Sequence, residues 1–163
     1  MRTERVGRVL GITSVAFAML VSAACSARSP RATATPGSAP AALLGAFTDD
    51  YGSRYRVTPD QFEHLPRSVY LIAEWNVAER YFLAQNAASN PSDGGLWTRV
   101  DWLEFTDQGP YTWGFCLTAY GAETREAARA TPPADRSAPR SGCNGFPFTR
   151  MQRTVDSTGA MSR

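Results

Sequence analysis

The 163-residue chain contains no lysine; all 17 of its basic residues are arginine. Alongside abundant alanine, this reads as the bias of a GC-rich genome and carries no functional message. There is one histidine, His64, and there are three cysteines. A metal centre needs clustered Cys, His, Asp or Glu, so neither a structural nor a catalytic zinc site is expected. No acidic loop has the spacing of a calcium-binding loop. Gly-x-Gly-x-x-Gly and phosphate-cradling loops are missing, which leaves nucleotide binding without support. So is the Gly-x-Ser-x-Gly elbow of a serine hydrolase. No cofactor is expected. A basic excess is also lacking: removing the three arginines and one glutamate of residues 1–24 takes the formal +2 to zero. Nucleic-acid partners are therefore not expected. Finally, no apolar run is long enough to span a bilayer, which takes about 20 residues.

The chain opens "MRTERVGRVLGITSVAFAMLVSAAC". Arg2, Arg5 and Arg8 precede an uncharged stretch from Val9 to Val21, followed by Ser22, Ala23 and Ala24. A positive flank, an apolar core and small residues form the layout of an export signal over 1–24. A cysteine placed straight after Ala-Ala resembles the lipobox of bacterial lipoproteins. That resemblance implies a diacylglycerol on Cys25, cleavage before it and a membrane anchor. The lipobox pattern puts a large aliphatic residue three before the cysteine, where this chain has Ser22. Ordinary cleavage after Ala24 or Ala27, giving a secreted or periplasmic protein, stays open. Multiple acyl chains hold a protein stably on a membrane.

With Cys25 lipidated or removed, Cys116 and Cys143 remain as a pair in an oxidising compartment, where disulfides persist. They are expected to be bonded, contributing roughly 3–4 kcal/mol in the chain-entropy model. A reactive thiol paired with His64 has no local signature of activation. Residues 25–42, largely "SARSPRATATPGSAPAA", have little to bury and read as a disordered tether. A globular domain is expected over 43–150, long enough for one core, and a flexible polar tail over 151–163.

Within the domain, "LLGAFTDDYGSRYRVT" reads as strand, turn, strand. "PDQFEHLP", between two prolines, reads as a turn or helical turn. In "SVYLIAEWNVAERYFLAQNAA", Leu71, Trp75, Ala78 and Phe82 fit one helix face. Val69, Leu71, Ala73 and Trp75 also alternate, and the β-favouring residues support two strands joined at "NVAE". "LWTRVDWLEF" alternates on both faces. "YTWGFCLTAY" puts Tyr111, Trp113, Phe115, Leu117 and Ala119 on one face and Cys116 on the other. "ETREAARA" before Pro132-Pro133 reads as a short helix. The expected fold is mainly β: about six strands in a small antiparallel meander, forming a curved sheet or barrel, with one short helix near the C-terminal end.

Gly45-x-Phe47 on the opening strand faintly resembles the Gly-x-Trp start of lipocalins and other calycins, with Phe in place of Trp. "SDGGLWTRVDW", "YTWGFC" and "SGCNGFPF" resemble an uncharacterised family of exported bacterial proteins. That resemblance spans most of the domain and implies export, but brings no activity with it.

Aromatic side chains fill small cores and also line ligand pockets. All four tryptophans lie between Trp75 and Trp113. Arg99 and Asp101 sit two apart on a strand and share a face with Trp97. Trp97, Arg99, Asp101, Trp102 and Trp113 are therefore the candidate ligand-binding residues, for a small apolar or envelope-derived ligand. The bland alternatives are a packed core and a structural ion pair. No catalytic residue is assigned. A hydrolase built on His64 needs a nucleophile and an orienting acid that the sequence does not place, and a turn histidine is the plainer reading. The functional expectation is a non-enzymatic, lipid-anchored envelope protein. The rivals are a protein-interaction module of the envelope and, behind it, the His64 hydrolase.

Overall fold

The computed structural model describes residues 37–154. Residues 1–36, with the expected export signal and Cys25, and residues 155–163 lie outside the described residues. Eight strands follow in chain order: β1 (Gly45–Asp49), β2 (Arg54–Val57), β3 (Gln61–Leu65) and β4 (Ser68–Asn76), then β5 (Tyr81–Asn86), β6 (Trp97–Glu104), β7 (Tyr111–Ala122) and β8 (Thr149–Arg153). Each pairs antiparallel with the next, and β8 pairs with β1 to close a barrel. Closure removes the exposed edges that an open sheet would present. One helix, α1 (Arg125–Ala130), lies between β7 and β8.

Alternation decides which side chains fill the barrel. Tyr55 and Val57 of β2 point inward while Arg54 and Arg56 face solvent. Phe47, Phe62, Phe82, Trp102, Trp113 and Phe115 meet them in one cluster. Ring centroids lie 5.2 Å apart for Phe62–Phe115, 5.4 Å for Phe47–Trp113 and 5.6 Å for Trp75–Trp102. These are the edge-on spacings at which aromatic pairs attract. Leu43 closes the end where β1 begins and is fully buried. The segment before it crosses that end, with the Gly37 N–H donating to the Trp75 carbonyl at 2.9 Å. Residues 37–42, expected within the tether, are thus packed on the domain.

Two strands escaped the sequence reading. "QFEHL" is β3, not a turn. Its flanking prolines, Pro59 and Pro66, stand outside the strand, where they interrupt no ladder. Phe62 enters the core from it. β8 runs beyond the boundary drawn at 150, and Met151 is fully buried between β1 and β7. In β4 the register shifts between Ile72 and Glu74. This β-bulge reverses the facing. Tyr70 and Ile72 lean on the core before it and Trp75 after it, while Leu71 is 43% exposed. A clean Val69–Leu71–Ala73–Trp75 face therefore does not form.

The 26 residues between β7 and β8 wrap the outer wall rather than closing a tight hairpin. Thr124 caps α1 by accepting the Ala127 N–H at 3.1 Å. Ala128 then packs on Tyr81 and Leu83, on the outer side of β5. Farther on, Ala134 and Phe148 cover Leu103 and Cys116. The Cys116 and Cys143 sulfurs are at bonding distance, 2.04 Å. The disulfide pins this strap to the wall. Cys116→Ser with Cys143→Ser is expected to lower stability by about 2–4 kcal/mol, read by urea unfolding. A loss below about 0.5 kcal/mol would mean that the strap holds without the bond.

Candidate functional site

The five candidate residues do not form one site. Trp102 and Trp113 point into the barrel, each 1% exposed, the first against the rings of Trp75 and Phe82 and the second against those of Phe47 and Phe115. Trp97, Arg99 and Asp101 point the other way, out of the barrel. Trp97 is half-buried against Tyr81, Leu83 and Ala128. Arg99 and Asp101 are 3% and 0% exposed because α1 and the strap lie over them. They are neither an interior polar site nor ordinary surface charge.

The Asp101 carboxylate accepts four hydrogen bonds. Arg99 donates from Nε at 2.9 Å and from Nη2 at 3.1 Å. Thr118 Oγ1 and Arg136 Nη2 each donate at 2.7 Å. Arg99 Nη1 donates to the Arg129 carbonyl at 2.9 Å, and its guanidinium lies 4.0 Å from the Tyr81 ring centre. Arg136 also donates to the carbonyls of Trp102, Glu79 and Arg80. Every lone-pair direction of the carboxylate is used. A carboxylate so saturated has nothing left for a ligand. It acts as a polar staple holding the strap to β6.

A second staple joins α1 to β4. Glu74 accepts from Arg125 at 2.6 Å and from Arg129 at 2.5 Å. Burial alone pushes the Glu74 carboxyl up; the hydrogen bonds and charges of Arg129 and Arg125 outweigh it and hold the carboxyl below its usual range. A lowered folded-state value stabilises the protein above the unfolded glutamate value and loses that contribution as pH falls through the folded one. Glu74→Gln is therefore expected to be less stable than wild type at neutral pH, with the gap narrowing in acid. Urea midpoints measured across pH check this; a gap independent of pH contradicts it.

His64 is half-buried on β3, its ring stacked 4.7 Å from that of Tyr55 across the β2–β3 pair. The Tyr55 hydroxyl donates to Asp49 Oδ2 at 3.1 Å. Burial lowers the His64 value, Asp49 opposes that and Arg67 adds to it, with a net lowering. Tyr55 is shifted upward, by burial first and then by Asp49. Among the described residues no hydroxyl or carboxylate hydrogen-bonds the imidazole, so the nucleophile–base contact of a hydrolase is not assembled.

The fold builds a concavity that the sequence does not announce. A half-open cleft of about 770 Å³ lies on the outer wall, lined by Asp50, Tyr51, Phe105, Gln108, Tyr111 and Arg150, with Pro139, Arg140 and Pro147 of the strap. Asp50 and Tyr51 come from the β1–β2 turn, Gln108 from the β6–β7 hairpin and Arg150 from β8. The Arg150 Nε donates to Asp50 Oδ2 at 2.9 Å, and its guanidinium lies 4.4 Å from the Tyr111 ring centre. Tyr51 is 74% exposed. These residues come from four separate segments, so no local spacing announces them. The weak signal was Asp50 beside Tyr51, which reads as plain turn chemistry. Set against family models, curated proteins and solved structures, the chain matches none.

Proposed function

We propose that the chain is an exported, non-enzymatic binding domain, anchored at the bacterial envelope through lipid on Cys25, and that its binding surface is the outer cleft. The observation that carries the cleft is its size beside a filled interior. At about 770 Å³ it falls within the range of small-molecule sites, whereas the barrel centre is occupied by Phe62, Phe82, Trp102 and Phe115. The expected apolar ligand among Trp97, Trp102 and Trp113 has no shared space to occupy. The cleft mixes rings with charged and amide side chains, which suits an amphipathic or polar ligand better than an oil.

Export is supported by the residue 1–24 pattern and by the bonded pair of cysteines, since disulfides persist in oxidising compartments. Labelling with a fatty-acid analogue, lost in Cys25→Ser, is the expected result for the anchor. An unlabelled wild-type protein would leave ordinary signal cleavage. For the cleft, a screen of small polar ligands by amide chemical shifts is expected to move Tyr51, Gln108, Tyr111 and Arg150. Shifts centred on Phe62 and Trp102 instead would overturn it.

The second reading is an envelope protein partner. It is favoured by Tyr51 at the cleft and Phe146 just before its rim residue Pro147, 74% and 72% exposed. Exposed aromatics of this kind are common in contact surfaces.

A further inference from the structure

The geometry points to an acidic saccharide, a sugar carrying a carboxylate, as the ligand class of the outer cleft. This inference rests on the cleft being the binding surface and adds what it recognises. The deciding feature is the state of Arg150. Arg99 and Arg153 spend both terminal nitrogens on protein acceptors, and Arg136 spends Nη2. Arg150 does not. Its Nε is fixed by Asp50 and its guanidinium carbon sits over the Tyr111 ring. Among the described residues no protein acceptor reaches its Nη atoms. The guanidinium is thus aimed and held while its two-nitrogen edge stays free. Such an edge matches a carboxylate in two parallel hydrogen bonds.

The surroundings leave the charge open to a ligand. Asp50, the one acid of the lining, is already engaged: besides the Nε bond, its N–H donates to the Arg150 carbonyl at 3.2 Å. Arg140, on the strap, is exposed and has no side-chain hydrogen bond among the described residues. A second cation therefore stands over the same cleft. A bare anion would use these two groups and ignore the rest. The rest is Tyr51, Phe105 and two prolines, which offer apolar faces, and Gln108 and the tyrosine hydroxyl, which offer hydrogen bonds. A pyranose presents both kinds of surface, C–H groups on its faces and hydroxyls at its rim. A carboxylate on that ring completes the match.

Two sugars test this with the purified protein. N-acetylmuramic acid carries a lactyl carboxylate; N-acetylglucosamine has the same ring without it. Amide shifts around Tyr51, Tyr111 and Arg150 are expected with the first, at an affinity about tenfold tighter than the second, the effect of a single good charged contact. Arg150→Gln is expected to erase the difference. Because Arg150 also ties β8 to the β1–β2 turn, Arg140→Gln provides a second variant away from that lock and is expected to narrow the difference. Equal affinity for the two sugars would overturn the acidic class while leaving the cleft as the surface. Inorganic phosphate binding as tightly as N-acetylmuramic acid would mark a bare anion site and overturn the saccharide. If neither sugar moves these amides and other ligands of the screen do, the saccharide class falls and the cleft stands.

Discussion

Asp101→Ala is expected to destabilise the domain by about 3–5 kcal/mol, the cost of leaving buried charge without its partner. The substitution removes the one carboxylate that faces both Arg99 and Arg136. Arg99, 3% exposed, cannot turn to water without lifting α1 from the wall. Its Nε and Nη2 would be left without acceptors, and Thr118 would lose its shortest contact. The triple change Asp101→Leu, Arg99→Met and Arg136→Met is expected to recover part of the loss. It removes the unpaired charges but leaves Thr118 and the Arg129, Trp102 and Glu79 carbonyls without these partners. A buried ionic group often contributes little net stability against an apolar one of similar volume; breaking it halfway is what costs. Urea unfolding of both variants measures this. An Asp101→Ala loss below about 1 kcal/mol would fit a solvated surface pair instead.

Trp102→Ala is expected to cost about 3–5 kcal/mol, from lost apolar burial and the cavity left behind. Trp102 sits 5.6 Å from Trp75 and 6.5 Å from Phe82, measured between ring centres. A closed barrel of paired strands has little freedom to collapse into the gap. Leu71→Ala, on the outer face of β4, is the contrast and should stay within about 0.5 kcal/mol. If the two substitutions cost the same, the facing assigned to β4 and β6 is wrong.

The fold class was legible because alternation survives in the strands that matter most. Trp113, Phe115 and Leu117 share one face of β7 in sequence and in space, and Cys116 faces the strap as expected. Register shifts at both ends of that run turn Tyr111 and Ala119, expected on the same face, outward to the cleft and opposite Arg99, respectively. β3 was not legible, because Pro59 and Pro66 dominate an eight-residue window and hide the two inward rings between them, Phe62 and the half-buried His64. β8 was lost for a similar reason: Met151 is its one fully buried residue, set between polar neighbours. Arg99 and Asp101 were rightly paired on one face. What surrounds them depends on a strap that returns from residues 125–148, and local sequence does not encode which wall such a strap covers. The outer cleft was hidden for the same reason, since its walls meet only once the barrel has closed.

A barrel whose interior is filled by rings leaves its outside as the proposed surface for recognition. A titration with N-phenyl-1-naphthylamine, a neutral apolar fluorophore, tests this most directly. With Trp102 and Trp113 filling the interior, the native protein should give no saturable rise in dye emission and no energy transfer from tryptophan. Saturable transfer at one dye per chain, lost on Trp102→Ala or Trp113→Ala, would place a ligand cavity inside the barrel and contradict the account.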